Sequence, residues 1–225
     1  MTEAEEHKKG IASYLAHLDV DVWGIGDFSA YTKELIGLDA DTASKYPFVL
    51  SFGLLLSKGV LSTVAKGPNP LYLHHYRQAN SRLDRIAYAL SREIERRGYK
   101  SLPFAASQVV DWRNQKAHVS HKHIGVMAGL GWIGRNNLLV HPVYGAQVRY
   151  NTVLTDMPLE AAGPLGRDCA GCGACASVCP AGAIKDNVSD FDHMGCYAMI
   201  TQLKNKRNIG HHICGICVEA CKGSR

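Results

Sequence analysis

All eight cysteines of this 225-residue chain fall between Cys169 and Cys221, and none occurs in the first 168 positions. A segment so loaded with thiols folds around whatever the thiols bind. Disulfide frameworks staple small secreted domains. Here the opening residues, MTEAEEHKKG, are charged and carry no apolar core of a secretory leader. A reducing, cytoplasmic setting follows as the expectation, and there clustered thiols read as metal ligands.

The spacing narrows the metal. Cys169-x2-Cys172-x2-Cys175-x3-Cys179-Pro180 is the bacterial ferredoxin run. Three closely spaced thiolates wrap one cubane, and the fourth is carried away toward a second cluster. Structural zinc, the competing reading, takes its four ligands in pairs. Cys214-x2-Cys217-x3-Cys221 matches the last three positions of a second run, but its first position is His211. Cys196 stands upstream in an insertion and supplies the missing ligand most economically. One [4Fe-4S] cluster then takes Cys169, Cys172, Cys175 and Cys221, and the other takes Cys179, Cys196, Cys214 and Cys217. The rival assignment uses His211 and leaves Cys196 free.

Ahead of the cysteines the composition is that of a folded domain: 46% of the chain is apolar and 20% charged. The longest apolar stretch, Val49 to Leu56, is interrupted by Ser51 and Gly53 and is too short to span a bilayer. A helix is expected from Glu3 to about His17, then an alternating strand from Val20 to Phe28. A strand buried on both faces is expected from Tyr46 to Gly53, and a long helix from about Leu71 to Arg97, stopped by Gly98. Extended segments follow at Tyr99–Phe104, Val109–Asp111, Leu138–Val140 and Gln147–Leu154, with a short helix from Val119 into Met127. That order predicts an α/β or α+β layer structure with part of the sheet parallel. Gly163-Pro164-Leu165-Gly166 marks a boundary, giving residues 1–162 as one domain and 163–225 as a ferredoxin-like module.

Net charge is +5, too mild to indicate nucleic acid. Positive residues bunch late, at Lys204, Lys206, Arg207, Lys222 and Arg225. They either offset anionic clusters or face an anionic partner.

Residues 128–139, AGLGWIGRNNLL, contain G-x-G-x-x-G. A dinucleotide site needs a strand before that motif and a helix after it, and the expected order here is the reverse. The glycines instead let backbone lie close to something broad and flat, or make a tight turn with Trp132 as a core anchor.

This segment, with Pro142–Gly145 (PVYG), Leu154–Asp156 (LTD), the ferredoxin run and the Cys196 insertion, resembles the epoxyqueuosine reductases. Those are cobalamin-dependent iron–sulfur enzymes related to the reductive dehalogenases. The resemblance covers roughly residues 20–221. It implies a nitroreductase- or flavodoxin-like corrinoid-binding domain fused to a bacterial two-cluster ferredoxin module. The proximal cluster would reduce a base-off cobalamin, and the other would accept electrons from a low-potential donor such as ferredoxin or flavodoxin. Gly129, Leu130, Gly131, Trp132, Gly134, Asn136, Leu139, Tyr197 and Met199 would face the corrin.

The chain also departs from the family. It stops four residues past Cys221, without the helical-repeat segment of the tRNA-acting reductases, so a nucleic acid partner is not expected. A small-molecule substrate is expected instead, or else a corrinoid protein that the chain reduces without having a substrate of its own. The family's general-acid aspartate falls at Gln115 here. Asp111 is the nearest carboxylate, and His121 and Lys122 stand where the family has a glutamate–arginine pair. These three are the candidate proton-handling residues.

Overall fold

The computed structural model describes residues 1–31 and 35–223. The chain divides into two interleaved units. The first comprises residues 1–54, 80–130 and 149–165, and the second residues 55–79, 131–148 and 166–225.

The first unit is built on a four-stranded sheet of order β1-β2-β6-β3. Its strands are β1 (Val22–Asp27), β2 (Phe48–Leu55), β3 (Ser101–Pro103) and β6 (Val148–Thr155). Helix α1 (Glu3–His17) starts in a capping box, Thr2 accepting from the Glu5 amide while the Glu5 carboxylate accepts from Thr2. Helix α4 (Pro70–Arg96) opens with proline at its first position. It ends at Gly98, in the left-handed region, with the Tyr99 amide reaching back to the Ile94 carbonyl.

Ile11 and Leu15 of α1 and Leu83, Leu90 and Ile94 of α4 pack on Leu50, Phe52 and Val153 from one face of the sheet. Ala43 of α2 (Ala40–Ser44) and Ile124 of α5 (His121–Met127) pack with Val49 and Leu154 on the other. Strand β2 therefore contributes alternate residues to two cores, as a strand apolar at nearly every position can.

The resolved pairings of β1 with β2 and of β3 with β6 are antiparallel. The parallel part expected from the element order does not lie in these two pairings. Short connections and a helix that returns the chain to the same sheet edge serve antiparallel strands equally well, so order alone does not fix direction.

The second unit holds the β4 (Trp132–Ile133) and β5 (Leu139–Val140) hairpin, α3 (Lys58–Leu61), α6 (Ala174–Ser177), α7 (His193–Lys206) and α8 (Ile216–Ala220). Its apolar cluster joins Leu56, Leu61, Val64 and Tyr72 to Ile209 and Ile213. Helices of four and five residues cannot enclose a core of their own. The cysteine-rich segment is therefore completed by residues 55–79 and 131–148 and is not a contiguous module from 163. Among the described residues no helix is long and apolar enough to cross a membrane.

Candidate iron–sulfur centre

Local structure places each thiol. Cys175 lies on α6, Cys179 follows its end, and Pro180 turns the chain there. Asp192 caps α7 by accepting from the Gly195 amide, which sets Cys196 in the first helical turn. Cys214 and Cys217 flank Gly215, whose φ of 87° starts α8 from a left-handed residue. A Cβ at Gly215 would stand 2.8 Å from the Tyr72 ring, so only glycine fits. Cys221 ends α8.

The thiols act on one another in two sets. Burial pushes Cys175 up, and the charges of Cys221, Cys169 and Cys172 push it further. Cys221 is likewise raised by burial and then by Cys169 and Cys172. Burial raises Cys196 to about 11, with Cys214 and Cys179 adding to it. Cys217 is the most strongly raised, by burial and then by Cys214 and Cys196, with smaller effects from Cys175 and Cys179. Cys175 and Cys221 thus feel mainly Cys169 and Cys172, whereas Cys217 feels Cys214 and Cys196 first and then Cys175 and Cys179.

Such thiols lose their protons at neutral pH only beside a cation, and an all-thiolate donor set is what an iron–sulfur cluster takes. The donor chemistry fits two clusters. Among the described residues, no three His, Cys, Asp or Glu side chains close around a single ion. His211 packs its ring 5.6 Å from Tyr76, and His212 stacks on Tyr197 at 5.3 Å.

The glycine–tryptophan loop resolves into three separate uses of glycine. Gly129 (φ 72°) terminates α5, the Leu130 amide bonding back to Gly125. In the second unit, a Cβ at Gly131 would lie 2.0 Å from the Val140 carbonyl oxygen of the facing strand. A Cβ at Gly134 would meet Val140 at 2.5 Å, Asn136 Oδ1 at 2.9 Å and the Cys169 sulfur at 3.4 Å. A helix precedes the motif and a strand follows it, the opposite of a dinucleotide site.

The same hairpin walls the first set of thiols. Trp132, buried, donates its indole N–H to the Cys169 sulfur at 3.4 Å. Arg167 lies 5.5 Å over the Trp132 ring. Arg135 donates to the carbonyls of Cys172 and Ala170, tying the ferredoxin loop to the hairpin. Sequence reading missed Arg135 and Arg167, because a guanidinium that binds backbone carbonyls leaves no motif. Leu139 is buried in the hairpin, whereas Tyr197 and Met199 are partly exposed on α7.

The proton-handling candidates all lie in the first unit, each with its own local duty. Asp111 accepts from the amides of Arg113 and Asn114 and from the Asn114 side chain, and these bonds, the last foremost, hold its carboxyl below the usual range. His121 bonds Thr152 Oγ1 at 2.8 Å through Nδ1 and the Ala105 carbonyl at 3.0 Å through Nε2. Burial lowers its pKa to about 4, with Arg149 lowering it further against the raising effect of the Ala105 bond. Both ring nitrogens are thus engaged on a neutral ring. Lys122 is half-buried on α5. Of the late positive residues, Arg207 donates to the Lys66 carbonyl and Lys222 pairs with Glu219 at 2.8 Å. Lys204 and Lys206 lie in the last turn of α7, where cations suit the helix dipole, and Arg225 lies outside the described residues.

Residues 167–185 match the 4Fe-4S binding domain model, so the ferredoxin reading of the first run holds. The chain is similar to iron–sulfur reductases of known kind. It is 30% identical over 111 residues to the epoxyqueuosine reductase of Bacillus cereus, covering 46% of this chain and 29% of that one. It is 26% identical over 243 residues to the epoxyqueuosine reductase of Leadbetterella byssophila, covering 96% and 79%.

Among solved structures, the catabolic reductive dehalogenase NpRdhA superposes with a TM-score of 0.71 at 20% identity, over 92% of this chain and 30% of that one. An epoxyqueuosine reductase solved with a tRNA stem loop superposes at 0.58 and 18% identity, over 88% and 58%. These structures speak to the fold. The match thus spans less than a third of the Bacillus cereus enzyme and of the dehalogenase. The likeness to epoxyqueuosine reductases and reductive dehalogenases expected from the sequence is found. The expectation that nucleic acid is excluded has no support, since one of these relatives is solved with tRNA.

Proposed function

We propose that the chain is an iron–sulfur, corrinoid-dependent reductase that passes electrons through two [4Fe-4S] clusters to a base-off cobalamin serving a further substrate. The observation that carries this reading is the match of residues 167–185 to a 4Fe-4S binding domain, with the distant Cys221 acting on Cys175; on this reading Cys169, Cys172, Cys175 and Cys221 hold one cluster and Cys179, Cys196, Cys214 and Cys217 the other, each set drawing one member from the other's stretch of sequence. That exchange is what a two-cluster relay needs. Cys172 is the exposed thiol, so the cluster at Cys169, Cys172, Cys175 and Cys221 is the one proposed to meet a low-potential donor such as ferredoxin or flavodoxin.

Tyr197 and Met199, partly exposed beside Cys196, are the residues of the second unit best placed to lie against a corrin. Gly131 and Leu139 are committed to the hairpin and would support such a surface from within it, and Gly129 and Leu130 keep their place as candidates in the first unit. When bound, the corrinoid would supply the strongly reducing cobalt centre. On this reading the domain of the first unit is nitroreductase-like, since antiparallel pairing disfavours the parallel flavodoxin-like sheet.

The name shared by the curated relatives makes epoxyqueuosine, carried on tRNA, the first substrate to try; a small molecule is the alternative. A second reading, a protein that reduces another protein's corrinoid, is favoured by one observation. Asp111 and His121 are tied into local hydrogen bonds, which leaves Lys122 as the proton-handling candidate.

Anaerobically reconstituted protein, titrated with cobalamin and followed by absorption and EPR, tests the proposal. About eight irons per chain and a cobalt signal altered by the protein are expected. Cobalamin spectra unchanged by the protein would overturn the corrinoid part, and fewer than four irons would overturn the relay.

A further inference from the structure

Asn136 sits in the bend of the β4–β5 hairpin, a place where an asparagine side chain ordinarily faces water. Instead it is 4% exposed. Its Oδ1 accepts from the Leu138 amide at 3.3 Å, which fixes the orientation of the amide group. Its Nδ2 is buried and has no acceptor among the described residues. Buried amide donors rarely go unbonded, so one left over points to a partner that the polypeptide does not provide.

The surroundings say what that partner is. The point where a Cβ of Gly134 would stand is 2.9 Å from Asn136 Oδ1 and 3.4 Å from the Cys169 sulfur. Glycine there keeps open the space in which the amide and the thiolate approach. Trp132, on the same hairpin, already donates its indole N–H to that sulfur. The buried Asn136 amide borders the same open space, where a group rich in sulfur acceptors would sit.

We infer that Asn136 Nδ2 donates a hydrogen bond to a sulfur of the cluster that Cys169 would help to hold, and that with the Trp132 indole it raises the reduction potential of that cluster. This rests on the two-cluster reading above. N–H donors stabilise the more negative, reduced state of a cluster more than the oxidised state, so each one raises the potential. The proposed role is that of a tuning residue: no substrate is touched.

The test is a redox titration of the anaerobically reconstituted full chain, with both clusters followed by EPR, in wild type and in Asn136→Leu. Leucine keeps the volume and removes the donor. One midpoint potential is expected to fall by about 59 mV, equivalent to a tenfold smaller ratio of reduced to oxidised cluster at a fixed poise, while the other stays put. Iron content near the wild-type value with both potentials unmoved overturns the inference and leaves the two-cluster reading standing. Wild-type protein with no cubane EPR signal overturns that reading itself.

Should Asn136→Leu lose iron, wild-type protein labelled with 15N only in asparagine side chains decides. A 15N hyperfine coupling to one reduced cluster is expected, and its absence rejects the bond.

Discussion

Cys196 and His211 show how far single residues could be read from spacing. The ferredoxin pattern puts His211 at a ligand position, yet its ring packs beside Tyr76, while Cys196 is pushed up by burial, with Cys214 and Cys179 adding to it. Cys196→Ser is expected to lose about half the iron and one cluster signal, and His211→Ala to keep both. Iron analysis and EPR read this directly, and loss of a cluster only in His211→Ala would reverse the assignment.

His121 shows the opposite case. The sequence marks it as a proton donor because histidine titrates near neutrality, and no pattern reveals that Thr152 and the Ala105 carbonyl enclose its ring. Its folded pKa near 4 lies below the unfolded value of 6.5. Between those values the unfolded chain holds a proton that the folded chain does not. Its contribution is therefore complete above about pH 6.5 and is lost as pH falls toward 4, amounting to about 3 kcal/mol. His121→Gln is expected to flatten the pH dependence of urea midpoints across that window.

At the scale of elements, long periodic segments were readable and short ones were not. Helices α1 and α4 fall within a residue or so of their expected limits, because an apolar face over four or more turns and clear stop signals outweigh context. Helices α3, α6 and α8 have at most five residues, too few to show a period, and exist because their neighbours pack on them.

The glycines show the same division. Their presence was visible, but their separate duties came from what lies opposite each Cα. A Cβ at Gly24 would stand 2.1 Å from the Ala128 carbonyl oxygen at the end of α5. Gly24→Ala is expected to destabilise the protein by about 1–3 kcal/mol, measured by denaturant unfolding. A Cβ at Gly145, where φ is 61°, would stand 2.1 Å from the Cys221 carbonyl oxygen. Gly145→Ala is expected to displace Cys221 and lower iron content toward half, with the EPR signal of the Cys196 cluster retained.

For the molecule as a whole, the two units differ in what holds them. The first packs apolar residues on both faces of its sheet, whereas the second gathers Leu56, Leu61 and Ile213 into a smaller cluster among short helices. Stripping iron with a chelator is expected to speed amide exchange about 100-fold or more across residues 166–223, while α4 and β2 stay protected. Equal loss of protection in both units would show that the sheet domain also depends on the clusters.

The thiol chemistry of the first cysteine run and the long helices follow from residue type and spacing, because local covalent geometry and periodicity are written along the chain. Strand direction and the division into interleaved units do not, and neither do the enclosure of His121 and the bond from Trp132 to Cys169. Each of these depends on residues tens of positions apart meeting in space, and meeting is settled by packing, not by spacing.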